Sequence, residues 1–487
     1  MNKNNEISKD KVTFNISKSN NFSEWFSEII QRAELADIRY NVKGFIVFQP
    51  WSVLSMEKMF HFMEKKLQEK NHLPYYFPTV IPENNLKKES HHIKGFTPEV
   101  FWLEKVKGED KLALRPTSET AFYQMFSIWI RSYKDLPFKT YQRANVFRYE
   151  TKATRPFLRS REFHWIEAHC AHSSEENAMK QVKEDMETTK EVLHDIYRLP
   201  FIFFQRPEWD KFPGAKQTFA ADVLNPDGRV VQQPSTHLLE QEFAKAFDVK
   251  FKDKDGKDKY VYITCYGPAI SRIFASVIAV HGDDKGLRFP WKIAPVQVVI
   301  VPFSLDSKII KKAEEIKSIL NKSEIDVWID KSDKRPGEKF YYWEMKGVPL
   351  RIELGEKEIK AKELTIYRRD IDKKEKIKEN DLLKYIDKTS KEIDINLIKE
   401  ADKLFDNNIL NAKSKSEIKK VIESGKIARC GFCSVTKSGE TCAEVIEKEI
   451  GASVRGKNLE NEKPKSIEKC IICGKKADEI VYVAKSY

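Results

Sequence analysis

Apolar positions along this chain change period several times, and each change marks an element. Phe22, Phe26, Ile29 and Ile30 follow helical spacing from Asn21 onward. Met56, Met59, Phe60, Met63 and Leu67 recur at one-turn intervals, a single stripe of a long amphipathic helix over 56–70. Residues 75–81 read as a strand interrupted by Pro78. Further strands are predicted at 101–103, 112–114, 140–149, 162–169, 219–224, 230–233 and 260–266. They are mostly polar-alternating and joined by short loops, which favours an antiparallel sheet. Helices are predicted between them at 116–133, 174–197, 237–247 and 268–281.

The pattern changes at 290–295. A continuous apolar run at 296–301, helical spacing over 309–320 and a strand at 326–329 suggest a small α/β unit with a buried sheet. Charge dominates 370–391, which reads as helix and linker surface. A last segment from about Asn411 carries most cysteines. With 487 residues the chain is expected to form two to four domains. The net charge of +12 fits a polyanionic partner such as RNA, and it also fits a lysine-rich surface. No apolar run reaches the roughly 20 residues of a membrane span. The polar N-terminus lacks the apolar core of a secretory signal. Five of the seven cysteines follow Arg429, which reads as a metal site in a reducing compartment.

The chemistry concentrates in Asn-Val-Phe-Arg-Tyr-Glu at 145–150 and Phe-Leu-Arg-Ser-Arg-Glu-Phe at 157–163. On a strand, Arg148 and Glu150 share one face. A polar loop through Pro156 then returns Arg159 and Arg161 on a second strand. An arginine-rich hairpin beside a carboxylate suits a nucleoside triphosphate, because arginine offers a planar fork to phosphate. Alone, such a hairpin also fits a salt-bridged surface. Cys430, Cys433 and Cys442 precede Cys470-Ile-Ile-Cys473, a knuckle with spacing suited to tetrahedral zinc. Four ligands are needed and five cysteines are present.

The order Phe147-Arg-x-Glu150, loop, Arg159-x-x-x-Phe163 resembles motif 2 of class II aminoacyl-tRNA synthetases. The helix at 56–70 followed by Tyr75-Tyr-Phe-Pro78 resembles motif 1, which builds that class's dimer interface. Gly267-Pro-Ala-Ile-Ser-Arg272, heading an apolar helix, resembles motif 3. Arg115-Pro-Thr-Ser-Glu-Thr120, Trp165-Ile-Glu-Ala-His169 and Gln232-Gln-Pro-Ser-Thr-His237 narrow the resemblance to prolyl-tRNA synthetases. Asp333 to Phe340 resembles their anticodon-binding domain, and the cysteine tail is similar to the archaeal and eukaryotic-like form. The family usually has glycines where Pro234 and Glu240 stand here.

The resemblance implies an α+β chain. Its parts are an antiparallel-sheet catalytic domain over 1–290, an α/β anticodon-binding domain over 291–400 and a small zinc-binding α/β domain over 401–487. It implies activation of L-proline with ATP and Mg2+, then esterification to tRNA(Pro), in a cytoplasmic homodimer without an inserted editing domain. Arg148, Arg159 and Arg272 are the expected catalytic residues, joined around ATP by Glu150, Ser160, Gln232 and Ser235. Thr117, Glu119, Arg148 and His237 are expected around proline, with Trp165, Phe96 and Phe212 as walls. Lys339, Phe340, Arg351 and Glu353 are candidates for the anticodon. The family pattern selects Cys433, Cys442, Cys470 and Cys473 as zinc ligands, with Cys430 as the substitute. The rivals are another class II synthetase, an inactive relative, and a zinc-containing RNA-binding module. The string at 115–119 argues against the first, and the three arginines against the second. The third leaves the first 290 residues unexplained.

Overall fold

The computed structural model describes residues 14, 16–92, 100–150, 154–459 and 469–487, without the side chains of 89–92 and 240. In chain order its main elements begin with α1 (Phe22–Arg32), α2 (Pro50–Glu69), β1 (Leu73–Pro74) and α3 (Glu119–Trp129). The hairpin β2 (Phe138–Phe147) and β3 (Glu162–His172) follows, then α4 (Glu175–Thr189), β4 (Ile202–Gln205), β5 (Gln217–Leu224) and β6 (Arg229–Glu240). Next come β7 (Tyr262–Gly267), α5 (Ile270–His281), β8 (Val298–Pro302), α6 (Ser307–Lys322) and β9 (Val327–Ile329). They are followed by α7 (Pro336–Met345), β10 (Leu350–Leu354), β11 (Glu363–Arg368), β12 (Lys373–Lys378) and α8 (Leu382–Asn407). The chain closes with β13 (Ile409–Asn411), β14 (Ile427–Phe432), α9 (Glu440–Ile450), β15 (Ser453–Asn458) and β16 (Glu479–Ser486).

Two compact units result. One holds the described parts of Met1–Asp37, Phe48–Lys58 and Val277–Ala401. The other holds Ile38–Val47, Met59–Ser276 and Asp402–Tyr487. The second is built on one sheet in the order β13-β14-β16-β15-β4-β5-β6-β7-β3-β2-β1. Most neighbours run antiparallel, as expected. The pairs β1–β2, β13–β14 and β16–β6 are parallel. In the first unit β9-β8-β10 are parallel, and β11 and β12 extend them antiparallel. Its core joins Val298, Ile300, Leu350 and Ile352 to Ile309, Ala313, Ile316 and Leu320 of α6.

The two early helices form where their spacing predicts, and the α2 stripe from Met56 to Leu67 is buried. Elsewhere local chemistry overrides the pattern. Residues 75–79 form no strand. Arg115 and Gln142 satisfy that backbone instead: Arg115 Nη1 donates to the Phe77 carbonyl at 2.8 Å and Gln142 Oε1 accepts from Phe77 N at 3.1 Å. The helix expected at 237–247 shrinks to Glu242–Ala246, because β6 runs on to Glu240. Leu238 and Leu239 are both fully buried, as in a central strand covered on both faces, so they show no alternation. The charged stretch at 370–391 contains the strand β12, whose alternating lysines line a sheet edge before α8 begins. Pro234 sits at a β-bulge opposite Ala221, a place where a strand tolerates a missing N–H.

β15 ties the cysteine-bearing segment to β4, through Lys457 and Asn458 opposite Gln205 and Phe204, beside the β16–β6 pairing. Gly456 permits this approach. Its φ is +128°, and a Cβ there would lie 2.2 Å from the Gln205 carbonyl oxygen. Gly456→Ala is therefore expected to loosen β15 from β4. The backbone conformation alone costs about 1–3 kcal/mol. A thermal melt should show a midpoint several degrees below wild type; an unchanged midpoint would remove Gly456 from this role.

Candidate active site

A cavity of about 530 Å³ opens on the face of β3, β5, β6 and β7. Thr117, Glu119, Arg148, Glu150, Trp165, Phe212, Gln232, Ser235, His237 and Arg272 line it, ten of the residues expected from the sequence. Period-two alternation on β6 brings Ser235 and His237 to it together, and their side chains meet at 3.1 Å. Phe212 packs on the His237 ring at 4.8 Å. Phe96 lies outside the described residues.

The arginine hairpin differs from its expected form. β2 stops at Phe147 and β3 begins at Glu162, so Arg148, Glu150, Arg159 and Arg161 lie in the connecting loop and not on strands. The backbone keeps partial pairing through Arg148 N to Arg161 O at 2.9 Å and an Arg155–Arg159 bridge. Ser160 spends its hydroxyl on the Glu162 carbonyl at 2.6 Å. Neither Ser160 nor Arg159 is among the residues lining the cavity, although Arg159 lies 3.4 Å from Glu150.

Two sets of ionisable groups meet at the cavity. Arg148 is surrounded by protein atoms yet solvent-accessible, because the space before it is open. Its Nε donates to the Pro116 carbonyl at 3.1 Å and its guanidinium lies 5.2 Å from the Phe163 ring. Arg272, on α5, also lies over Phe163, at 5.9 Å. Burial and then repulsion from Arg148 and Arg159 bring Arg272 down to about 10. Such a group of cations gains from an incoming polyanion.

The opposite set is anionic. Glu119 and Glu167 are both buried, and the Thr117 hydroxyl contacts both, Glu167 at 2.9 Å. Burial, and then the charge of Glu167, raise the Glu119 carboxyl above its ordinary range. Burial also opposes ionisation of Glu167, but the adjacent His169 ring and the Ser118 hydrogen bond outweigh it and carry its carboxyl low. Cys265 stands 4.0 Å from Glu119, its thiol kept neutral by burial. His237 is held neutral by burial, down to about 3. Sequence reasoning missed Glu167 as a site residue, although period-two spacing from Trp165 places it on the same face.

Behind the cavity, Asp222 accepts from both Arg206 and Arg455 at 2.7 Å, and Arg206 Nη2 reaches Gln232 Oε1 at 3.2 Å. Arg455 belongs to β15, so the C-terminal segment braces the wall. The final residue does the same at the hairpin: Tyr487 Oη donates to Asp227 and accepts from Arg155 at 3.2 Å.

Two further clusters were expected. The sulfurs of Cys433, Cys442, Cys470 and Cys473 lie within 4.8 Å of one another, and Cys433 and Cys442 are 3.7 Å apart. Cys430 is buried on β14 and is not among them. In the other unit, Phe340 and Arg351 line a groove of about 890 Å³, with Arg351 4.1 Å over the Phe340 ring. Lys339 is buried instead, donating to the Asp330 carbonyl at 3.1 Å. Glu353 is buried between Arg351 and Lys374. These two hold the groove's wall and do not face into it.

Three family descriptions match the chain. They are "tRNA synthetase class II core domain (G, H, P, S and T)" over 101–281, "Anticodon binding domain" over 297–389, and "Prolyl-tRNA synthetase, C-terminal" over 415–487. A proline--tRNA ligase of Thermofilum pendens is 46% identical over 97% of this chain and 98% of its own length. This chain belongs to the prolyl-tRNA synthetase family. The ligase of Methanopyrus kandleri is 42% identical over 96% of each chain. The Giardia lamblia family member, solved with prolyl-adenylate, is 38% identical with a TM-score of 0.93, covering 98% of this chain and all of its own. The Cryptosporidium parvum member, solved with L-proline and AMP, is 30% identical with a TM-score of 0.91, covering 100% and 99%. The fold is thus the family's: a class II synthetase core with anticodon-binding and C-terminal regions.

Asp222→Ala leaves Arg206 and Arg455 buried without their shared anion. The expected loss is about 3–5 kcal/mol of stability, read as a lowered denaturant midpoint. A midpoint equal to wild type would mean that the pair is solvated in solution.

Proposed function

We propose that this protein is a proline–tRNA ligase: it activates L-proline with ATP and transfers the prolyl group to the 3′ end of tRNA(Pro). One observation carries the reading. A single cavity opposes the buried carboxylate Glu119, backed by Glu167 beneath the floor, to mutually repelling arginines, Arg148 and Arg272, with Arg159 close behind. A zwitterionic imino acid joined to a nucleotide phosphate complements both sets.

In this reading Glu119 and Thr117 take the secondary ammonium, while Trp165, Phe212 and His237 wall the ring. Arg148 spans the proline carboxylate and the α-phosphate. The carboxylate oxygen attacks the α-phosphorus and pyrophosphate leaves. No general base is needed, because the nucleophile is already ionised, so catalysis is positioning and charge neutralisation. Arg159 and Arg272 hold the outer phosphates, and Glu150, Gln232 and Ser235 hold the nucleoside side. Ser160 acts through the hairpin backbone. A terminal tRNA hydroxyl then attacks the prolyl-adenylate.

Mg2+ arrives with ATP and offsets phosphate charge. Among the described residues no cluster made only of carboxylates is assembled to hold it alone. The four thiols suit a structural zinc. Thiolates about 2.3 Å from a central zinc stand about 3.8 Å apart, close to the 3.7 Å between Cys433 and Cys442. We assign catalysis to 1–290, anticodon binding to 291–400 through Phe340 and Arg351, and zinc binding to 401–487. The active form is a cytoplasmic homodimer with no inserted editing domain. No described helix is long and apolar enough to cross a membrane.

Pyrophosphate exchange with a panel of amino acids should respond to proline above all, and a response led by threonine or glycine would overturn the reading. Arg148→Ala should reduce exchange at least about a hundredfold while the protein stays folded; near-normal exchange would remove Arg148 from its role. Metal analysis should find about one zinc per chain. A zinc-free protein that is folded and active would contradict the thiol assignment.

A further inference from the structure

Beneath the cavity floor Glu167 continues into a buried polar chain, His169 and Tyr123, to which the proposed reaction assigns no role. His169 follows Glu167 at period two on β3, and both are fully buried. His169 Nδ1 lies 2.8 Å from the Tyr123 hydroxyl, and Nε2 lies 3.2 Å from Glu167 Oε1. The contact is a charge contact outside hydrogen-bond geometry, but an ionised carboxylate beside Nε2 favours the imidazole proton there. Nδ1 then accepts from Tyr123. Phe122 packs against the ring at 4.4 Å and holds its plane.

Counting protons at Thr117 gives the consequence. Its one hydroxyl proton serves two carboxylates, Glu119 and Glu167. Glu167 already receives the Ser118 N–H at 2.9 Å and the Gln142 amide at 3.2 Å, besides facing His169. Glu167 is therefore the anion and takes the Thr117 proton, and the proton between Thr117 and Glu119 must come from Glu119. The other groups about Glu119 do not change this. Cys265 is a neutral thiol, and Arg148 and His169 each act on both carboxylates, so neither singles out Glu119 for the charge.

We propose that His169 is a positioning residue: oriented by Tyr123, it fixes Glu167 as the permanent anion and leaves Glu119 as the carboxyl that exchanges its proton for the substrate's ammonium. When the ammonium enters, the Glu119 proton passes to bulk water and an ion pair takes its place, so charge balances. The inference rests on the proposed proline activation and deepens it.

The test uses pyrophosphate exchange by the full-length protein, with tetrahydrofuran-2-carboxylate as a competitor that keeps the ring and carboxylate but lacks the ammonium. His169→Leu should raise the proline KM about tenfold or more, with the ATP KM and the competitor's Ki within about threefold of wild type. His169→Gln, which keeps an N–H donor near the Nε2 position, should recover most of the proline affinity. Tyr123→Phe keeps the ring but loses the hydroxyl that orients it, and should raise the proline KM several-fold; it also serves if His169→Leu does not fold. An unchanged proline KM in both His169→Leu and Tyr123→Phe would overturn the inference. So would a folded variant that loses proline and the competitor equally, since that reports a collapsed pocket. A wild-type protein without proline-dependent exchange would instead refute the proposed activity itself.

Discussion

Crowding of groups that would carry like charge at one cavity is the constraint on which this protein depends. Arg148 and Arg272 face the cavity with Arg159 behind them, and burial and mutual repulsion lower the proton affinity of Arg272. Glu119 and Glu167 are buried together on the other side, with one threonine hydroxyl in contact with both. Neither set is stable for its own sake. Each costs free energy that a bound ligand of opposite charge returns, which is how a site is poised for a zwitterion joined to a phosphate.

Such a site needs a rigid frame, and the frame comes from distant parts of the chain. Asp222 joins Arg206 of the cavity to Arg455 of β15, 233 positions away. Tyr487 reaches the arginine loop through Arg155 and Asp227. Arg115 closes the backbone at Phe77 and Asn145, so the Thr117–Glu119 segment starts from a fixed point. The C-terminal strands share the sheet that carries the cavity, and the close approach at Gly456 is what allows it.

Much of this was legible in the residues themselves. Period-two spacing located β2, β3 and β5, but Ser235 and His237 share a face only because β6 runs on past the strand expected at 230–233 and through the start of the expected helix. The four thiols meet as the family pattern expected, and Cys430 stands apart on β14. Other features were hidden for physical reasons. Glu167 and His169 sit in a run that is buried throughout, where a polar residue gives no outward sign of its partner. Leu238 and Leu239 lie in a strand covered on both faces, so the pattern resembled a helix. Lys339 and Glu353 have the chemistry of a binding surface, but the structure uses them to satisfy a carbonyl and two cations within the fold. Asp222 could not be paired with Arg455 from the sequence, because only the sheet brings them together.

The most direct test is a crystal structure of this protein with a non-hydrolysable prolyl-adenylate mimic. The account predicts the secondary amine within hydrogen-bond distance of Glu119 and Thr117, and the phosphate-like group against Arg148. A mimic whose amine lies away from both carboxylates, or whose phosphate position avoids Arg148, would contradict it.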